Sequence, residues 1–137
     1  LPHHQIFEKM KRDKIIYWSA TGLVAAAMAA SGGMYLLRNP EVIQGFEQLG
    51  YPGYFVLLLG IAKLLGAAAL LIPVPDKIRE WAYAGIAFTL IGATWTHIST
   101  QTPFVAPLVL LGVLGLSYWF RSRVNVESRL PKLKNAI

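Results

Sequence analysis

The chain has no cysteine. That absence removes disulfide exchange, thiolate catalysis, iron–sulfur ligation and cysteine zinc sites. It also excludes membrane oxidoreductases that work through a Cys-x-x-Cys pair. Charge is scarce: Asp, Glu, Lys and Arg make up 15% of the 137 residues, against about 25% in an average soluble domain. Histidine occurs only at His3, His4 and His97. A pair at one end and a single residue far away supply neither a metal set nor two haem ligands at one depth, so no metal site is expected. No nucleophile–base pair is apparent, which argues against a hydrolase.

What the chain has is apolar residues, 55% of the total, gathered in blocks. Four runs approach the ~20 residues needed to cross a ~30 Å hydrocarbon core. They cover residues 15–37, 54–72, 81–98 and 104–120. The first resembles a signal peptide in its basic flank and its small residues around Ala27 and Ala29, but it is too long for one and reads as a transmembrane helix.

The formal net charge is +6, and its placement argues for a membrane rather than nucleic acid. Lys9, Lys11, Arg12 and Lys14 precede the first run; Lys77 and Arg79 lie between the second and third. Arg121, Arg123, Arg129, Lys132 and Lys134 follow the fourth. Arg38 alone falls on the other side, with Glu41 and Glu47. This is a positive-inside pattern, placing both termini in the cytoplasm. Residues 1–14 and 121–137 then read as basic cytoplasmic segments, the first irregular and the second mobile, that also meet anionic lipid headgroups.

Arg38-Asn39-Pro40 ends the first span, and Pro40 suits the first turn of a new helix. Val42, Ile43, Phe46 and Leu49 share one face of it, so a short amphipathic helix is expected on the outer surface, ending at Gly50. Short connections make sequential spans antiparallel neighbours. The expected fold is all-α: a polytopic, antiparallel four-transmembrane-helix bundle with this short external helix between helices 1 and 2. Gly22, Ala26 and Ala30 give the first span a smooth ridge for close packing.

Lys63 interrupts this pattern in mid-span. A lysine at mid-bilayer costs about 2.5–3.5 kcal/mol on insertion scales, so it usually faces a partner or a wet cavity. Its side chain tilts toward its helix N-terminus, here the outer side. Matching depth at ~1.5 Å per residue brings it level with Thr89, and then Thr96 and His97, on the third span. Glu47 of the external helix is the second candidate partner, as a counter-charge over the bundle mouth, and Glu80 a third that lies about 13 Å deeper on helix spacing. Lys63, Thr89, Thr96, His97 and Glu47 form the candidate intramembrane polar site. Two readings of Lys63 stand: a structural lysine that fixes helix rotation, or a cavity lysine that holds an anionic or carbonyl group. Trp81, Tyr83, Phe88 and Trp95 read as lipid or packing residues.

Several segments occur together in order: Ser31-Gly32-Gly33, Asn39-Pro40-Glu41-Val42, Leu49-Gly50-Tyr51-Pro52, Lys63-Leu64-Leu65-Gly66, Glu80-Trp81-Ala82-Tyr83-Ala84-Gly85 and Leu90-Ile91-Gly92-Ala93. In these the chain resembles the DoxX-like family of small four-helix bacterial membrane proteins, over about residues 17–120. The resemblance implies a bacterial inner-membrane location. It supplies no catalytic motif; relatives in the wider superfamily include a quinone-linked oxidoreductase subunit. Relatives often carry aspartate at the Thr89 position, so an acidic partner for Lys63 is missing here.

Two functions follow as expectations. One is a non-catalytic accessory or structural subunit of a membrane complex, with other membrane-protein subunits, further copies of the chain and membrane lipids as partners. The other is a binder or redox partner of a lipophilic, quinone-like molecule, anchored at Lys63 through a carbonyl that accepts from ammonium, hydroxyl or imidazole. No cofactor is predicted beyond a possible quinone or lipid.

Overall fold

The computed structural model describes residues 3–136, with side chains for 5–126. Among these residues all regular structure is helical: α1 His3–Leu36, α2 Pro40–Gln48, α3 Gly53–Leu71, α4 Asp76–Ser99 and α5 Val105–Ala136. The side chains of His3, His4, Arg129, Lys132 and Lys134 lie outside the described ones.

Three helices contain stretches long and apolar enough to cross a membrane: Gln5–Leu36, Gly53–Leu71 and Val105–Val126. The third run expected from the sequence forms α4, which falls short of that standard. It has the length, at 24 residues, but Thr89, Thr94, Thr96 and His97 dilute its hydropathy. Both basic flanks differ from expectation. Residues 3–14 continue α1 without a break, and the residues after Phe120 continue α5 to Ala136. No proline or glycine interrupts either helix at those points, and the two helices pack against each other.

The helix ends follow from local chemistry. Asn39 caps α2, its Oδ1 accepting from the Glu41 amide at 3.0 Å, and Pro40 occupies the first turn. Gly50, at φ +87°, closes α2. Its amide donates to Glu47, the Tyr51 amide donates to Phe46, and the rings of Phe46 and Tyr51 meet at 5.9 Å. That is a Schellman end with its hydrophobic contact. Arg38 and Gln101 hold the same left-handed position after α1 and α4, at φ 56° and 57°. Arg79 stops α3 from outside, donating to the carbonyls of Ala69 and Ile72.

α1 packs against α3 and α5, and α4 packs against the same two helices, so α1 and α4 stand diagonally. The core between them holds Val24, Ala25, Met28, Ala67, Leu70, Tyr83, Ile86, Leu90 and Leu114. Among the glycines, the closest contacts are at Gly32 of α1 and Gly60 of α3. A Cβ on Gly32 would sit 2.9 Å from the Gly60 carbonyl oxygen, and one on Gly60 would sit 3.1 Å from that of Gly32. α2 joins the C-terminal end of α1 to the N-terminal end of α3 and packs against both. Phe46 holds it there against Tyr35 and Phe55, at 5.6 and 6.2 Å between rings.

Candidate functional site

Lys63 lies on α3, half-buried, one turn beyond the glycine crossing. Its ammonium faces α1. Nζ donates to Ser31 Oγ at 2.7 Å and sits 4.1 Å from the centre of the Tyr35 ring. An aromatic face attracts a desolvated cation, and a hydroxyl accepts one of its three protons. The backbone contact at Gly32 and Gly60 brings Ser31 within reach, because a larger residue at either position would push the helices apart.

Of the five residues expected to form one site, Lys63 and Thr89 come together. Both line a groove of about 430 Å³ between α3 and α4, floored by Met28 and running to Ile78 and Trp81. The Thr89 hydroxyl donates to its own helix at the Gly85 carbonyl, 2.8 Å away, so only its acceptor capacity is free. His97 meets the turn that follows α4, its Nδ1 2.7 Å from Thr102 Oγ1. Thr96 is drawn into the same turn, its carbonyl accepting from Thr100 Oγ1. Glu47 stays exposed on α2 and forms none of the ion pairs among the described residues. The partners of Lys63 are therefore Ser31 and Tyr35, which depth-matching to the third span alone did not find.

A second polar cluster, also not anticipated, joins α1, α4 and α5 near their basic ends. Ser117 Oγ lies 2.6 Å from Thr21 Oγ1 and 2.7 Å from the Tyr83 hydroxyl, and all three residues are buried. Small hydroxyls and a tyrosine in one interface satisfy each other without water. One turn on, Arg121 is 7% exposed. It donates to Glu80 at 2.6 Å and Asp76 at 3.2 Å, while Tyr118 donates to Glu80 at 2.9 Å. Those hydrogen bonds, from Arg121 first and then Tyr118, hold the Glu80 carboxyl below its ordinary pKa. Asp13 of α1 is wholly buried, with Arg123 Nε 3.7 Å and Arg12 Nε 4.0 Å from its oxygens. The signal for this cluster lay in the sequence as the i, i+4 series Asp13–Tyr17–Thr21 and the pair Ser117–Arg121.

No group of three His, Asp or Glu suited to a metal gathers among the described residues. The hydrogen bonds of Lys63, Thr21, Tyr83 and Ser117 run from one helix to another, and the hydroxyls of Thr89 and Thr94 bond back onto their own helix backbone.

An all-helical chain with several membrane-length helices, joined through buried hydroxyl and cation contacts, is a multi-pass membrane protein. Residues 19–119 match the model of the DoxX-like family, and the chain belongs to that family. Comparison with curated proteins and with solved structures finds no match.

Proposed function

We propose that the protein is a non-catalytic subunit of a bacterial inner-membrane complex, a four-span antiparallel bundle with α4 as the fourth crossing and both termini in the cytoplasm. The observation that carries this reading is the outward face of α4. Trp81, Phe88 and Trp95 are 68%, 75% and 74% exposed, and exposed Gly85 and Gly92 alternate with them. Nothing stands within 4 Å of a Cβ placed on either glycine. The steps of four, three, four and three give a 3.5-residue repeat, the seam of a left-handed helix pair. Glycines between bulky rings leave holes into which a partner helix can set its side chains. Inside the protein, the polar side chains serve helix-to-helix contacts, which supports a scaffold more than a reaction centre.

Two experiments test this. With no native cysteine, single substitutions report topology. Gln44→Cys and Gln101→Cys are expected to react with an impermeant maleimide from outside intact cells, and Lys77→Cys only after the membrane is opened. Labelling of Gln101→Cys only after the membrane is opened would overturn α4 as the fourth crossing, and reaction of Lys77→Cys from outside would overturn the orientation. Purification from native membranes is expected to bring down another membrane polypeptide in stoichiometric amount, lost in Gly85→Leu/Gly92→Leu. A stable isolated monomer would contradict the subunit reading.

The groove between α3 and α4 favours a second reading, a quinone-like lipophilic ligand. Lys63 retains a proton beyond the one given to Ser31, and Thr89 offers an acceptor beside it. Quinone affinity that is equal in wild type and Lys63→Met would remove Lys63 as its anchor.

A further inference from the structure

The lipid-facing trough between α4 and α5 has a different character from the Lys63 groove. It encloses about 330 Å³, with Ala84, Ala87, Leu111 and Gly115 in its walls and Glu80 and Tyr118 at one end. A Cβ on Gly115 would meet nothing within 4 Å, so the trough is open along that wall. From Tyr118 to Leu111 is seven residues, about 10 Å along the helix. The trough thus runs from the basic, cytoplasmic ends of the helices toward mid-membrane, the course of an acyl chain in the inner leaflet.

Its polar end carries an inverted charge. The surrounding cytoplasmic face is basic, yet the triad here places its cation inside and its anions outside. The Arg121 side chain is 8% exposed, whereas those of Glu80 and Asp76 are 45% and 70% exposed. One guanidinium against two carboxylates leaves a net charge of −1, presented as acceptors. The hydrogen bonds from Arg121 and Tyr118 keep Glu80 ionised. Arg79, the nearest other guanidinium on α4, is engaged with the end of α3.

We infer that this trough holds a phospholipid of the cytoplasmic leaflet with a primary ammonium headgroup, its chain along Ala84, Ala87 and Gly115 and its ammonium donating to Glu80 and Asp76. An ethanolamine head supplies three N–H donors; a choline head has the charge without the donors, and a glycerol head has neither. Lys77, exposed and next to Asp76 in the chain, supplies a cation for the phosphate. The inference goes beyond the subunit reading and rests on α4 crossing the membrane. Failure of that premise would show in the maleimide labelling, and failure of the inference in lipid ratios.

The test is native mass spectrometry of the full chain after incubation with equal amounts of phosphatidylethanolamine, phosphatidylcholine and phosphatidylglycerol of matched chains. Wild type is expected to retain the ethanolamine lipid about tenfold over the glycerol lipid, the order one charge-assisted hydrogen bond supplies. Glu80→Gln should bring the ratio toward one, and Asp76→Asn on the exposed first turn gives the same reading should Glu80→Gln loosen α4. Gly115→Phe fills the trough without changing charge and should lower ethanolamine-lipid retention. Equal retention of the three lipids, preference for the glycerol lipid, a ratio unchanged in both acid variants, or undiminished retention in Gly115→Phe would each overturn the inference.

Discussion

Lys63 Nζ and Ser31 Oγ, 2.7 Å apart, join α3 to α1 next to the close backbone contact of Gly32 and Gly60. The pair turns a costly intramembrane cation into a helix-to-helix contact. A double-mutant cycle with Lys63→Met and Ser31→Ala should give a coupling of about 1 kcal/mol, within the range of intramembrane hydrogen bonds. The same cycle with Glu47→Ala or His97→Ala should give none. Unfolding in mixed micelles measures both.

The glycine crossing is sensitive to one carbon. Gly32→Ala would set a methyl 2.9 Å from a backbone oxygen, and backbone cannot swing aside as a flexible side chain can. Overpacking of this kind costs about 1–3 kcal/mol. Gly22→Ala, with nothing within 4 Å, should be neutral or gain up to about 1 kcal/mol in helix propensity. The thermal midpoint should fall in Gly32→Ala and stay level or rise in Gly22→Ala.

Much of this arrangement was legible in the sequence, and the rest depended on helix rotation. Asn39, Pro40 and Gly50 act locally, through a cap, a fixed φ and a left-handed turn, so the bounds of α2 could be read directly. Lys63 was identifiable because charge in a lipid-length run is costly. Its partner was not, because α3 is apolar on nearly every side and periodicity cannot say which face meets which neighbour. Ser31 was hidden among small residues that read as a packing ridge. Asp13 was placed in an irregular segment because a run of charges suggests solvent; its burial depends on α5 continuing past Phe120 to lie beside it. Thr89, Thr96 and His97 all lie on α4, but the Thr89 hydroxyl bonds its own helix, the Thr96 carbonyl accepts from Thr100, and the His97 ring meets Thr102 in the turn that follows.

Ser117 links Thr21 and Tyr83 across three helices. Ser117→Ala leaves two buried hydroxyls short of a partner, a loss of about 1–3 kcal/mol. Tyr83→Phe in the Ser117→Ala background should add less than it does alone, since the shared contact is already gone. Additive losses would show that the hydroxyls act separately.

Glu80 makes stability depend on pH in a defined direction. Its pKa is lowered from 4.5 in the folded protein by Arg121 and Tyr118, so the folded state binds its proton less readily than the unfolded chain. The contribution is full above that ordinary value and is lost as pH falls through the lowered folded value. The thermal midpoint of wild type should exceed that of Glu80→Gln at neutral pH, and the gap should shrink below pH 4.5. A gap unchanged at acid pH would detach Glu80 from the clasp.

The central claim is that the protein docks through the seam of α4. Site-specific photocrosslinking in native membranes tests it most directly, with the probe at Phe88 or Trp95 on the seam, and at Leu58 or Leu65 on the exposed side of α3 as the comparison. The account predicts one discrete protein adduct of fixed mass from the seam positions, abolished by Gly85→Leu/Gly92→Leu, and lipid adducts alone from α3. Lipid adducts alone from both faces, or the same protein adduct from both, would contradict it.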